Sequence, residues 1–324
     1  MSDPTQPEPV PQANSPGDPP RSWWQISLRT FFVLFTMVGV TIGLFVNRGE
    51  SRRRVVAEIQ ARGGKVAHRM ESDYLPSFLA DLLPIDYTTG VASVNLSKTQ
   101  ETDIILAHVA QLTEIDSLVL VENDATAAGL AHLPALESLG YVFAADCPFG
   151  KAGVSQLARI PHLKDLHLQD NSMDDSIFEP LATLREIQSL SLGGSSTTDR
   201  SISHLASLES IDYLDLTSTG ITDAGLASLA KLKIRRVLTL HSTKVTDAGL
   251  AHLAGQAELQ SLDLSATQVK GPGLRHLAGL NQLQKLRLAY LPLTDADLEP
   301  LASLQSLKDL DLANTQVSDA AFAT

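Results

Sequence analysis

Cysteine is nearly missing from this chain of 324 residues, where Cys147 stands alone. An intrachain disulfide framework and a cysteine pair for a metal are therefore excluded, while one thiol is compatible with either side of a membrane. Large rings are also scarce: aromatics make up 5% against an apolar total of 44%, so any core must be built from Leu, Ile, Val and Ala. Basic charge is in deficit, with 25 Lys and Arg against 37 Asp and Glu and a net charge of −12. Nine basic and nine acidic side chains precede residue 91, so the whole acidic excess lies beyond it. An acidic body without a basic stripe repels phosphate backbones, and no nucleic-acid partner is expected.

What the chain has in abundance is a repeat. Thr246 to Val269 (TDAGLAHLAGQAELQSLDLSATQV) overlays its flanks at a spacing of 24 without insertion. Anchored on Leu262-x-Leu264, the same pair falls at Val94/Leu96, Leu118/Leu120, Val142/Ala144, Leu166/Leu168, Leu190/Leu192, Leu214/Leu216, Leu238/Leu240, Leu286/Leu288 and Leu310/Leu312, which makes ten repeats. A fixed period of this size marks a solenoid in which no unit buries its own apolar face and neighbours stack into one core.

Ahead of the repeats, residues 1–22 form a tail with Pro at 4, 7, 9, 11, 16, 19 and 20 and nothing to bury, a composition that predicts disorder. Residues 23–47 follow, charge-free from Phe31 to Val46 and headed by Trp23 and Trp24. About 24 residues at about 1.5 Å each span the roughly 30 Å hydrocarbon layer, so a transmembrane helix is expected. The Trp pair suits an interfacial belt and Arg29 can snorkel toward it. A buried core helix fits poorly between a disordered tail and an arginine cluster. A cleaved signal peptide lacks its small-residue site, since Val46 is followed by Asn-Arg-Gly-Glu. The expectation is a single-pass protein of the cell membrane. Arg48, Arg52, Arg53 and Arg54 outnumber Arg21 and Arg29, which by the positive-inside rule puts the repeats on the cytoplasmic side.

Residues 51–90 read as a juxtamembrane helix and N-terminal cap: an amphipathic helix over Ser51 to Arg62 stopped by Gly63-Gly64, a strand over Lys65 to Met70, and a second helix over Tyr74 to Leu83. Residues 91–324 hold the repeats. In each, L-x-x-L-x-L alternates inward and outward on a short parallel strand. A Ser/Thr-Asp pair then opens a second segment, as at Thr102-Asp103, Thr198-Asp199, Thr222-Asp223, Thr246-Asp247, Thr294-Asp295 and Ser318-Asp319, and predicts a helix N-cap. Between the two, a small polar residue recurs at Thr99, Asn123, Asn171, Ser195, Thr219, Thr243, Thr267 and Thr315, placed to bond backbone left unpaired at the turn.

This pattern resembles the leucine-rich repeat family, most closely the cysteine-containing repeat type of F-box proteins and of bacterial relatives, over residues 91–324. The resemblance implies an α/β solenoid, a curved right-handed array with a parallel concave sheet and short convex helices, used for protein recognition. Departures are specific. Leu291 replaces a polar turn residue, Arg235 and Gln256 stand where Leu is expected, and Lys270-Gly271-Pro272-Gly273 lacks the Thr-Asp cap, so looser helices are expected at repeats seven and eight. No F-box-like segment precedes the repeats, and a ubiquitin-ligase role does not carry over.

Candidate chemistry is thin. Cys147 occupies a polar-turn position and lacks a base, so it reads as a buried structural thiol. His108, His132, His204, His252 and His276 share one convex position, yet none has Asp, Glu, Cys or His three or four residues away, and repeat copying explains the column better than a metal. Asp215, Asp263 and Asp311 belong to the repeated L-D-L motif and make no acid–base pair. Neither cofactor nor catalysis is expected. Most outward strand positions are small and polar. The exceptions are Val119, Val121, Tyr141, Phe143, His167 and Tyr213, rimmed by Glu122, Asp146, Asp165 and Asp170. Strands about 4.8 Å apart let the first five form one patch, and an apolar centre with a charged rim suits a protein partner. Lys285 and Arg287 make a smaller basic spot that reads as a solvated face. The edge strand over Asp309 to Ala313 is a pairing hazard. Two functions follow: a membrane-anchored module binding a protein partner on the concave face, or a structural envelope component that self-associates.

Overall fold

The computed structural model describes residues 28–70, 89–171, 175–194 and 196–322. The Pro-rich tail, the Trp pair, the expected helix over 74–83 and Ser195 lie outside them. The chain divides into two units, Met1–Arg48 and Gly49–Thr324.

In the first unit, residues 28–48 are helical and belong to helix α1 (Leu28–Ala61). Among the described residues, α1 is the one helix long and apolar enough to cross a membrane by length and composition, with a mean hydropathy of 2.0 in its apolar window and none of that window buried. Phe31, Phe32, Phe35, Met37 and Leu44 are all more than half exposed. The hydroxyl of Thr36 donates to the Phe32 carbonyl at 2.7 Å, so this polar group is satisfied within the helix. Of the helix expected over Ser51 to Arg62, residues 51–61 are helical and belong to α1.

The second unit opens with the end of α1, whose Val55 and Ile59 sit in the hydrophobic core. The helix stops where the sequence places its stop. Gly63 takes φ 87°, its N–H donates to Gln60 and that of Gly64 to Ile59, both at 3.0 Å, a left-handed termination that satisfies end carbonyls. Strand β1 (Lys65–Met70) then runs antiparallel along β2 (Thr89–Asn95) and closes that sheet edge. Nine further strands follow in chain order to β11 (Asp309–Asp311) in one sheet of eleven. From β2 onward neighbours are parallel, and Val94, Leu118, Val142, Leu166 and Leu190 lie side by side. The spacing of 24 is thus the sheet register itself. These residues have no solvent-accessible surface; truncating one such leucine to alanine costs about 2–5 kcal/mol.

The turn off each strand uses the left-handed conformation, at Lys98, Glu122, Asp146, Asp170, Gly194, Ser218, Ser242, Ala266, Tyr290 and Asn314. One glycine serves this column of ten; elsewhere the rung geometry imposes a conformation that costs an L-residue about 1–2 kcal/mol. Within the turns, Thr99, Thr219, Thr243, Thr267 and Thr315 each donate a hydroxyl to the carbonyl three residues back at 2.7–2.8 Å. Asn171 instead ties two rungs, donating to Leu168 and Ala144 and accepting from the N–H of Cys147.

The Ser/Thr-Asp pairs do more than cap their own helices. Thr222, Thr246 and Ser318 each accept from the N–H two residues on, as N-caps do. The aspartates of Thr-Asp reach the next rung: Asp199 accepts from the N–H and hydroxyl of Thr222 at 2.8 and 2.6 Å, and Asp223 does the same for Thr246. The glycine of the repeated A-G-L makes room for this, since a Cβ on Gly249 would overlap the Asp223 carboxylate. Thr102 departs from the expected pattern: Glu101 is the N-cap, Thr102 is helical, and its hydroxyl sits buried 3.3 Å from that of Thr99. Asp124 of the following rung accepts from the Glu101 and Thr102 N–H groups in its place.

Repeats seven and eight do carry 3₁₀ segments, Gly249–Leu253 and Pro272–Leu277, but so do the last two, Asp295–Ser303 and Asp319–Phe322. The missing cap is not the cause, because Asp247 accepts from the N–H groups of Lys270, Gly271 and Gly273. Arg235 and Gln256 turn out to be one compensated change. The register between β7 (Ser210–Asp215) and β8 (Lys233–Thr239) shifts, with Ile211 opposite Ile234 and Tyr213 opposite Val237. Ile234 thereby takes the core place with 1% exposure, and Arg235 turns outward to Asp212 and Glu258. The buried amide of Gln256 accepts from the Ile234 N–H and donates to the Leu232 carbonyl, both at 2.9 Å.

Candidate protein-binding surface

The sheet exposes one side chain in two, and β3 (Ser117–Val121), β4 (Tyr141–Ala145), β5 (Asp165–His167) and β7 position the residues singled out above. Val119, Phe143 and His167 form one row by register, and Tyr141, Asp165, Ser189 and Tyr213 the next. All six candidate residues are half-buried. His167 is the hub: its ring centroid lies 5.4 Å from Tyr141, 5.6 Å from Phe143 and 6.3 Å from Tyr213. Such separations are those of interacting rings. Val119 flanks Phe143, whereas Val121 lies two residues further along β3, opposite Ala145.

Tyr213 reaches His167 across an intervening strand, β6 (Ser189–Ser191), because that strand presents two serines. Ser191 is buried and donates to Asp215 at 2.8 Å. The serines are the part of the surface that sequence reading passes over as solvated filler. The signal available was their smallness between two rungs bearing rings.

Burial in the cluster pushes the His167 imidazole below its usual range, against the opposing pull of Asp165 and Asp215. Burial, with Asp165 and Asp215 respectively, pushes the Tyr141 and Tyr213 phenols up. At neutral pH the rings are therefore uncharged. Glu122, Asp146 and Asp170 stand exposed in the left-handed turn column just beyond the strands. The face carries a groove of about 480 Å³ that runs from Asp165 past Tyr213 to Lys285, with Ser189, Arg236, Val237 and Gln260 among its lining.

The other candidates fall into place locally. Cys147 is buried, its thiol 3.2 Å from the Leu120 carbonyl and 3.3 Å from that of Ala145, and burial pushes it up, away from the reactive thiolate. His108 uses Nδ1 on the Ile104 carbonyl at 2.9 Å. Among the described residues, no three His, Cys, Asp or Glu side chains come together as a metal site. Lys285 pairs with Asp309 at 3.5 Å and Arg287 with Asp263 at 3.8 Å.

A stack of identical rungs, with one parallel sheet whose outer face is open and decorated rung by rung, defines a repeat solenoid, a class that presents extended surfaces for recognition. The leucine-rich repeat family model matches residues 159–182 and 208–230. With the register of 24, this makes the chain a member of the leucine-rich repeat family. Solved structures similar to it include an internalin C2 from Listeria monocytogenes, at 32% identity over 60% of this chain and 79% of that one, with a TM-score of 0.46. The internalin inlF of the same organism is 23% identical over 64% of this chain and 70% of its own, also with a TM-score of 0.46. No curated protein matches the chain.

Proposed function

We propose that this protein is a membrane-anchored recognition module, with residues 23–47 in the bilayer and a protein partner on the outer sheet face of repeats two to six. The observation that carries the reading is the ring cluster around His167. Rigid half-buried aromatics ringed by charge are the anchors on which interfaces concentrate their energy. Catalysis has no part in the reading. The exposed apolar surface of residues 28–48 supports the anchor, and Arg48, Arg52, Arg53 and Arg54 favour the cytoplasmic side for the repeats.

The test is crosslinking and capture from membranes, comparing the wild type with Tyr141→Ala/Phe143→Ala. Both rings sit on the outer face, so the double variant keeps its fold and circular dichroism. A distinct partner is expected to be lost at least tenfold. Equal capture by the two proteins contradicts the surface, and self-crosslinks alone, kept in the variant, select self-association instead.

A further inference from the structure

The ring cluster and the carboxylates around it specify the chemistry of what docks there. Among the described residues, Asp146, Asp165 and Asp170 form no ion pair. Basic side chains at the far end of the same face are already engaged, Lys285 by Asp309 and Arg287 by Asp263. Asp165 is half-buried between Tyr141 and Ser189 in the sheet register, and one strand beyond Ser189 stands Tyr213. Asp165, Ser189 and Tyr213 line the near end of the groove, with Arg236 further along. A carboxylate walled by electron-rich faces fits a cation, which gains from a ring within about 6 Å of its centroid and from the opposite charge together. The neutral imidazole of His167 adds to that wall, and Phe143 and Val119 offer apolar contact beside it.

We propose that the occupant is a protein segment presenting an arginine or lysine over Asp165, between Tyr141, His167 and Tyr213, with an apolar side chain next to it on Phe143 and Val119. This rests on the recognition surface proposed above and narrows it to a cationic, amphipathic partner, as the net charge of −12 also favours.

The experiment selects a displayed library of randomised twelve-residue peptides on the full chain in phosphatidylcholine nanodiscs, then measures individual peptides by fluorescence anisotropy. Peptides whose binding is lost in Tyr141→Ala/Phe143→Ala are expected to carry Arg or Lys beside an aliphatic or aromatic residue. Replacing that arginine by citrulline, or Asp165 by Asn, is expected to weaken them at least tenfold. Glu137→Gln, an exposed carboxylate off the strands, is expected to change binding less than twofold. Surface-dependent peptides without basic residues, or indifferent to Asp165→Asn, overturn the cationic partner and leave the recognition surface standing. A selection that yields no peptide dependent on Tyr141 and Phe143 overturns both.

Discussion

Asn123 illustrates how a rung position is filled by chemistry rather than by copying. Asn171 occupies the equivalent place in another rung and spends its amide on two carbonyls, Leu168 of its own rung and Ala144 of the one before. For Asn123 the corresponding carbonyls are Leu120 and Leu96, and these already accept from the Cys147 thiol and the Thr99 hydroxyl. Its buried Nδ2 is left without a partner. Asn123→Thr, which removes the orphan Nδ2 and leaves a hydroxyl oxygen to accept from the Ala125 N–H as Thr315 accepts from Val317, is expected to stabilise the protein by about 1 kcal/mol. Chemical denaturation of the two proteins measures it, and a destabilised variant contradicts this explanation of the orphan amide. The polar-turn column was legible in sequence. That its members bond in two incompatible ways was not, because the difference depends on what the neighbouring rungs have already claimed.

Elements in this fold are short, and their stability lies between rungs. The Ser/Thr-Asp signature is readable as a helix N-cap, and Thr222 and Thr246 act as one. The aspartate's reach to the following rung is invisible to a one-element argument, as is the reason for glycine in A-G-L. Arg235 and Gln256 make the same point. Each alone looks like damage to an apolar column; together they shift a strand by one residue and satisfy the backbone that the shift exposes. Gln256→Leu restores the consensus residue, yet it is expected to destabilise by about 2–4 kcal/mol, because the Ile234 N–H and Leu232 carbonyl are left buried and unpaired. Differential scanning calorimetry reads the outcome, and a stabilised variant would show that the repeat consensus outweighs the local bond pattern.

At the scale of the molecule, period and patterning were enough to place the parallel sheet, because a solenoid stacks residue n on residue n+24 and the sequence prints that register directly. The outer face is where periodicity runs out: conserving the rung leaves its exposed positions free, and what they recognise depends on which side chains meet across rungs. Thus Tyr141, Phe143 and His167 were legible as neighbours from strand spacing, while the link to Tyr213 depended on two intervening serines. Recognition by this face is tested most directly by photo-crosslinking in intact cells, with p-benzoylphenylalanine placed at Val119 on the sheet face or at Ser203 on an exposed convex helix of the full chain. A discrete crosslinked partner is expected from position 119 and none from 203. The same partner captured from 203 and not from 119 would place recognition on the helices and contradict the concave surface.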